Sequence, residues 1–257
     1  MFKFYLRLLN MINRKKYFSA FAAFLISVFF FSCSKKEYSN PVNGACEDFL
    51  APDAYNNGPI AIGSTLNLTG ASDEVDVIYE WTGPENFLSH NQNPVINNIP
   101  FNAGGIYYAR VSNDQCISNT GSTKVIVNAP CSIAENNGVF GTATWNFYDA
   151  IICESNASGH YYIKGSCTDG TLEIKFSNNN VPAVNKIYGI DYTLNPVFDS
   201  SFVQLILTNS SGIIYAGQSG NVYVSTYDNI SAVFCNVPFK SSATGALLIG
   251  AAKLNCQ

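Results

Sequence analysis

"VDVIYEWTGPENFLSHNQNPVINNIPFNAGGIYYARVSNDQC", residues 75–116, holds two alternating apolar runs separated by a turn-rich middle. In the first run Val77, Tyr79 and Trp81 share one side of an extended chain, because successive side chains of a strand point to opposite faces. In the second run Tyr107 and Ala109 share a face in the same way. Outward from this stretch, "IGSTLNLTG" places Leu66 and Leu68 on one strand face, and "STKVIVN" supplies a further strand. Short alternating strands separated by turn clusters every 8–12 residues indicate a β-sandwich, expected here over residues 44–129.

"NAPC" (128–131) is a proline-bearing junction, and the chain beyond it alternates again. The runs are "VFGTATWNFYDAII", "HYYIKGS", "TLEIKFS", "KIYGIDYTL", "FVQLILTN", "GIIYAG", "NVYVSTY", "SAVFCNVPF" and "ALLIGAAKL". Leu172, Ile174 and Phe176 form one buried face, and Val222 with Val224 another. Asp169-Gly170 between two alternating runs is a hairpin signal. With no helix-period segment among them, these strands must pair antiparallel. The chain is therefore expected to be all-β, with a second antiparallel β-sandwich or jelly-roll-like domain over 130–257.

Two features of the first half carry a resemblance. Trp81 falls where an immunoglobulin-type sandwich buries its strand-C tryptophan, and "AGGIYYA" looks like a tyrosine corner with Tyr107 at its centre. With "WTGP" and "QNP", the segment resembles the immunoglobulin-like, PKD-like repeats of Bacteroidota surface proteins. In an antibody domain the position of Ala109 would hold a disulfide cysteine, so here the core must close by packing alone. The resemblance implies a cysteine just before the "GSTLNL" strand, but Ala61 stands there, which leaves Cys116 without that partner. The second half resembles C-terminal β domains that follow such repeats in Bacteroidota lipoproteins, a likeness that implies no activity. In that family the repeats act mostly as spacers.

The amino terminus gives an address. Arg14, Lys15 and Lys16 precede an almost wholly apolar run from Tyr17 to Phe31, followed by Ser32 and Cys33. A basic segment, a short apolar core and small residues form a secretory signal. The run is shorter than the roughly 20 residues a spanning helix needs. The order resembles a bacterial lipoprotein signal, in which the cysteine is acylated and becomes the first mature residue. Phe30 and Phe31 depart from the common pattern at positions where Bacteroidota signals are looser. The expected organisation is a signal peptide over 1–32, a tether over 33–43 lipidated at Cys33, and an outer-membrane location on either the periplasmic or the surface side. "MINRKKYF" from Met11 is itself a complete start, so Met1 and Met11 are both candidate initiators.

Five of the 14 basic residues precede Cys33 and no acidic residue does, which leaves nine against 18 and a net charge of −9. A nucleic acid would be repelled. Seven cysteines follow Cys33, none in a CxxC pair, and His90 and His160 stand alone, so no metal site or cofactor is expected. Disulfides are expected in an exported chain, and spacing does not fix their connectivity. Cys46–Cys116 and Cys131–Cys256 are the pairings that would clamp the ends of each module. Cys235, alternating with Val233 and Val237, reads as a buried free thiol. "SDEVD" (72–76) offers oxygen ligands for calcium, or simply a solvated acidic turn before a strand.

There is no GxSxG, HExxH or phosphate-cradling glycine loop. Seven carboxylates of the second half offer pairs for glycoside chemistry, but spacing singles none out. The chain is thus not expected to be an enzyme, and no catalytic residue is assigned. Tyrosine density favours binding, with Tyr161 and Tyr162 as the candidate surface for a cell-surface glycan or a protein. The same tyrosines also suit ordinary cross-strand pairing. A purely structural envelope component and a hydrolase built from scattered carboxylates stay as alternatives.

Overall fold

Alternation in the first half builds two small sheets, and Ile60–Ala61 adds a two-residue parallel ladder with Val127–Asn128. Leu66–Ala71 pairs with Asp53–Asn56 on one side and Val95–Ile96 on the other, and Ile78–Gly83 and Gly105–Ser112 form the centre of a sheet flanked by Phe87–Ser89 and Gly121–Val125. The computed structural model describes Cys46 and residues 49–256, and among these the only helical segments are the single turns Pro84–Asn86 and Phe101–Ala103. Leu66 and Leu68 face Trp81, Tyr107, Val111 and Val125 in one core. Trp81 and Ala109 stand directly opposite each other in register, so a methyl leaves the indole room where an antibody domain has a disulfide. The indole N–H donates to the Gln92 carbonyl at 3.1 Å. The Tyr107 hydroxyl donates to the carbonyl of Ala103, four residues back, at 2.8 Å. A two-sheet sandwich with a buried tryptophan and a tyrosine corner is immunoglobulin-like.

In the second half one 11-stranded sheet curls over itself. Phe202–Asn209 has Gly170–Phe176 along one side, while its other side is shared between Lys186–Ile190 and Ile214–Gly217. Ser231–Ser241 is shared likewise between Asn221–Ser225 and Ile214–Gly217. Short strands at this seam allow the sheet to fold into two layers around a single core. The layers meet closely where Tyr161–Cys167 crosses Leu247–Asn255: a Cβ on Gly165 would lie 2.8 Å from Leu254 Cδ2. Phe140, Trp145, Phe234 and Phe239 fill the middle, with the Phe140 ring 5.0 Å from Trp145 and 5.7 Å from Phe239. Lys186–Ile190 pairs in parallel with Phe202–Asn209, so pairing in this half is antiparallel with that one exception.

The structure corrects several local readings. "VFGTATWNFYDAII" is three strands rather than one: Asn137–Phe140 and Ala143–Asn146 form a hairpin, and Ala150–Ser155 joins the opposite sheet edge. The hairpin expected at Asp169-Gly170 turns one residue earlier, since Cys167 pairs with Gly170. Cys235 is not a buried free thiol. A bulge between Phe234 and Val237, with Asn236 at φ +53°, shifts the register. It makes Phe234 and Val237 successive inward residues and turns Cys235 toward the linker. Cys235 then pairs with Cys131, and Cys256 pairs with Cys153, so the expected Cys131–Cys256 bridge does not form. Cys46 is bonded to Cys116. Cys167 is the cysteine left free among the described residues. The signal and Cys33 lie outside the described residues.

Peptide mapping without reduction should therefore recover Cys46–Cys116, Cys131–Cys235 and Cys153–Cys256. Replacing both Cys153 and Cys256 by serine should lower unfolding free energy by about 2–5 kcal/mol; a recovered Cys131–Cys256 peptide would contradict the fold. A second expectation concerns alkali. Burial, with added repulsion from Tyr227 and Glu85, pushes the Tyr107 pKa up to about 12. The fold thus favours the neutral phenol, whose stabilisation is complete below the ordinary tyrosine value of 10 and is lost as pH rises through about 12. Urea-unfolding midpoints should fall over that window, and Tyr107→Phe should remove part of the fall; an identical alkaline profile in the variant would contradict it.

Candidate functional site

Tyr161 and Tyr162 are neighbours on a strand, so they point to opposite faces. Tyr161 is 3% exposed, packs on Phe176 and holds its hydroxyl 3.9 Å from Cys256 Sγ, so it cannot stack on a ligand. Tyr162 faces outward, with its hydroxyl donating to Glu154 Oε1 at 2.6 Å. That hydrogen bond is the main cause holding the Tyr162 phenol above its ordinary pKa. The pair proposed from sequence is therefore not one surface. His160 is buried at the strand start, bonded through Nδ1 to the Phe176 carbonyl at 2.8 Å and stacked on Phe198. Among the described residues no group of three or more His, Cys, Asp or Glu could hold a metal ion, and Asp73, Glu74 and Asp76 form no such group.

Other tyrosines define the site. Tyr223 and Tyr227 come from Asn221–Ser225 and the turn after it, with Val222 and Val224 turned into the core. Tyr223 meets Phe101 of the first sandwich edge-on, with ring centroids 5.4 Å apart. Tyr227 reaches farther, and its hydroxyl accepts from the Val127 backbone N–H at 3.2 Å. Burial raises the pKa of this phenol. The approach is possible because residue 104 has no side chain. A Cβ on Gly104 would stand 1.9 Å from the Tyr227 hydroxyl oxygen.

Asn185, only 8% exposed, completes the joint. Its Nδ2 donates to the Gly104 carbonyl at 2.7 Å and its Oδ1 accepts from the Thr226 N–H at 2.8 Å. Outside these contacts Lys124 pairs with Asp228 and lies over the Tyr227 ring, 5.9 Å from its centroid. The donor and the acceptor end of this buried amide are both satisfied, each by the backbone of a different module. The described residues accordingly form one compact unit with two cores.

Beside this joint lies a groove of about 310 Å³, bordered by Phe101, Val127, Tyr223 and Tyr227 and floored by the outer face of the second sheet. An adjoining hollow of about 390 Å³ continues it along the linker past Pro130 and Cys131. A third hollow, about 510 Å³ and next to His160 and Lys175, has no tyrosine or tryptophan in its wall. The groove was legible in "NVYVSTY", where alternation turns Tyr223 and Ser225 away from Val222 and Val224. That the first module would form its other wall was not.

No protein-family model matches the chain, and no curated protein matches it. Among solved structures, it is similar to a chain of the complex between Dpr2 Ig1–Ig2 and DIP-Theta Ig1–Ig3, at 13% identity and a TM-score of 0.26 over 80% of this chain and 64% of that one. It is also similar to Sidekick-1 immunoglobulin domains 1–5, at 12% identity and a TM-score of 0.20 over 77% of this chain and 36% of that one. The chain spans less than two thirds of either.

Gly104→Ala should force the Tyr227 hydroxyl out of its place. Overpacking of this kind costs about 1–3 kcal/mol, readable as a lower urea midpoint. Hydrogen exchange should quicken at the Val127 amide, which loses its acceptor. An unchanged midpoint with an unchanged Val127 exchange rate would show that the joint is not closed as described.

Proposed function

We propose that this is a non-catalytic, lipid-anchored protein of the cell envelope, held at the outer membrane through Cys33. In this reading the immunoglobulin-like module, residues 44–129, is a spacer. The C-terminal β domain, residues 130–257, is a binding module for a cell-surface glycan or protein. The observation that carries it is how the cysteines divide. Cys33 alone ends the apolar run of the signal, whereas six of the seven cysteines after it lie in disulfides. Disulfides of this number persist in oxidising, exported compartments and not in a reducing cytoplasm. A cysteine set apart at the signal's end is free for acylation. Each buried methylene of an acyl chain contributes about 0.8 kcal/mol to membrane binding, so several chains together hold a folded domain at a bilayer.

The joint bears on the spacer role. Because Tyr227, Asn185 and Gly104 interlock, the first module carries the second in a fixed orientation rather than on a loose hinge. The tether, residues 33–43, is the polar stretch that joins the acylated cysteine to the first module.

Cys33→Ser, expressed from the full chain, should move the protein from the membrane fraction to the soluble fraction. Mass spectrometry of the native protein should find an acylated N-terminal cysteine. Undiminished membrane retention of the variant would refute the anchor.

A further inference from the structure

We infer that the groove between the two modules is a saccharide-binding site, an assignment that rests on the binding-module reading above. Its floor is unusually regular. Tyr223, Val233 and Lys253 stand opposite one another on three adjacent strands, and Ser225, Ser231 and Asn255 form the next row. All six are half-buried and line the groove.

Three observations select the ligand chemistry. First, Asn255 Oδ1 is shielded from solvent yet has no hydrogen-bond donor, although the backbone N–H of the same residue is satisfied by Asn136. A buried acceptor left unpaired is costly; because Asn255 lines the groove, a turn of its side chain would bring Oδ1 to a ligand hydroxyl there. Ser225 and Ser231 beside it can donate or accept in turn. Second, the charges around the groove already have partners: Lys253 pairs with Glu135 and Lys124 with Asp228. The site therefore does not call for a charged ligand, and a net of −9 after Cys33 disfavours polyanions. Third, tyrosine rings form part of the wall, and a tyrosine presents an apolar face with a polar tip. A sugar ring offers both a C–H face for the phenol and hydroxyls for the asparagine and serines.

A peptide fits less well. Extended peptides bind by adding to a free sheet edge, and each of the three floor strands is already paired on both sides: Asn221–Ser225 with Lys186–Ile190 and Ser231–Ser241, and Leu247–Asn255 with Ser231–Ser241 and Asn137–Phe140. The volume of about 310 Å³ is at the lower end of small-molecule sites, which run from ~300 to 1,000 Å³, and the adjoining hollow gives a chain of linked rings somewhere to continue.

The test is calorimetric titration of the mature protein with uncharged hexasaccharides built on glucose, mannose, xylose, galactose and N-acetylglucosamine. The wild type should bind at least one of them. Asn255→Ala should weaken that binding about fivefold, the loss expected for one hydrogen bond. Ser231→Trp, which fills the floor, should abolish it with an unchanged melting temperature, while Tyr162→Ala should bind as the wild type does. If Ser231→Trp or Asn255→Ala binds undiminished, the groove is not the site, though the protein remains a saccharide binder. If no hexasaccharide binds, or only peptides do, the ligand class is overturned. Neither result touches the membrane anchor, which the fractionation of Cys33→Ser decides separately.

Discussion

The structure turns on a contact in which one module has a side chain and the other has none. Tyr227 brings a phenol to the edge of the neighbouring sandwich, and Gly104 presents bare backbone there. Burying a hydroxyl without a partner costs on the order of 1–3 kcal/mol, so the contact is favourable because the Val127 N–H and the Asn185 side chain are in reach. Asn185 solves the same problem for the Gly104 carbonyl and the Thr226 N–H together. Remove the glycine, and the ring, the asparagine and the ion pair of Lys124 with Asp228 lose their common geometry. The groove exists because these groups fix the angle between two sheets that share no strand.

The two cores follow from simpler physics. Wherever alternation ran unbroken, burial was readable from sequence: Leu66 and Leu68, Trp81 with Tyr107, Leu172 with Ile174 and Phe176, and Val222 with Val224 are all interior. Period two has no ambiguity while pairing stays regular. It failed where the backbone broke the period. One extra residue at the bulge in Ser231–Ser241 exchanged the inward and outward positions, and with them the fate of Cys235. A bulge leaves little trace in a single sequence, because asparagine at φ +53° and asparagine in a regular turn look alike.

The candidate site shows a different limit. Tyr161 and Tyr162 were attractive as a pair, yet adjacency on a strand guarantees that they separate. Tyr223 and Tyr227 lie four residues apart and are brought to one place by the turn that follows Asn221–Ser225. Nothing in spacing told that Phe101 and Val127, some hundred residues upstream, would stand across from them. Such wall-to-floor pairings come from tertiary packing. They are the part of a binding site that local pattern cannot contain.

The disulfides have a mechanical consequence. Tension applied between the tether and the carboxyl end would pass from Cys46 directly to Cys116, along the chain to Cys131, and directly again to Cys235. The segments 47–115 and 154–234 lie inside covalent loops and would bear none of that load along their length, while the Cys153–Cys256 bridge makes 132–152 a second path to the carboxyl end alongside 236–255. Only the stretch 117–130 and the parallel pair 132–152 and 236–255 could pay out, so a pull on this molecule would lengthen it far less than its residue count implies.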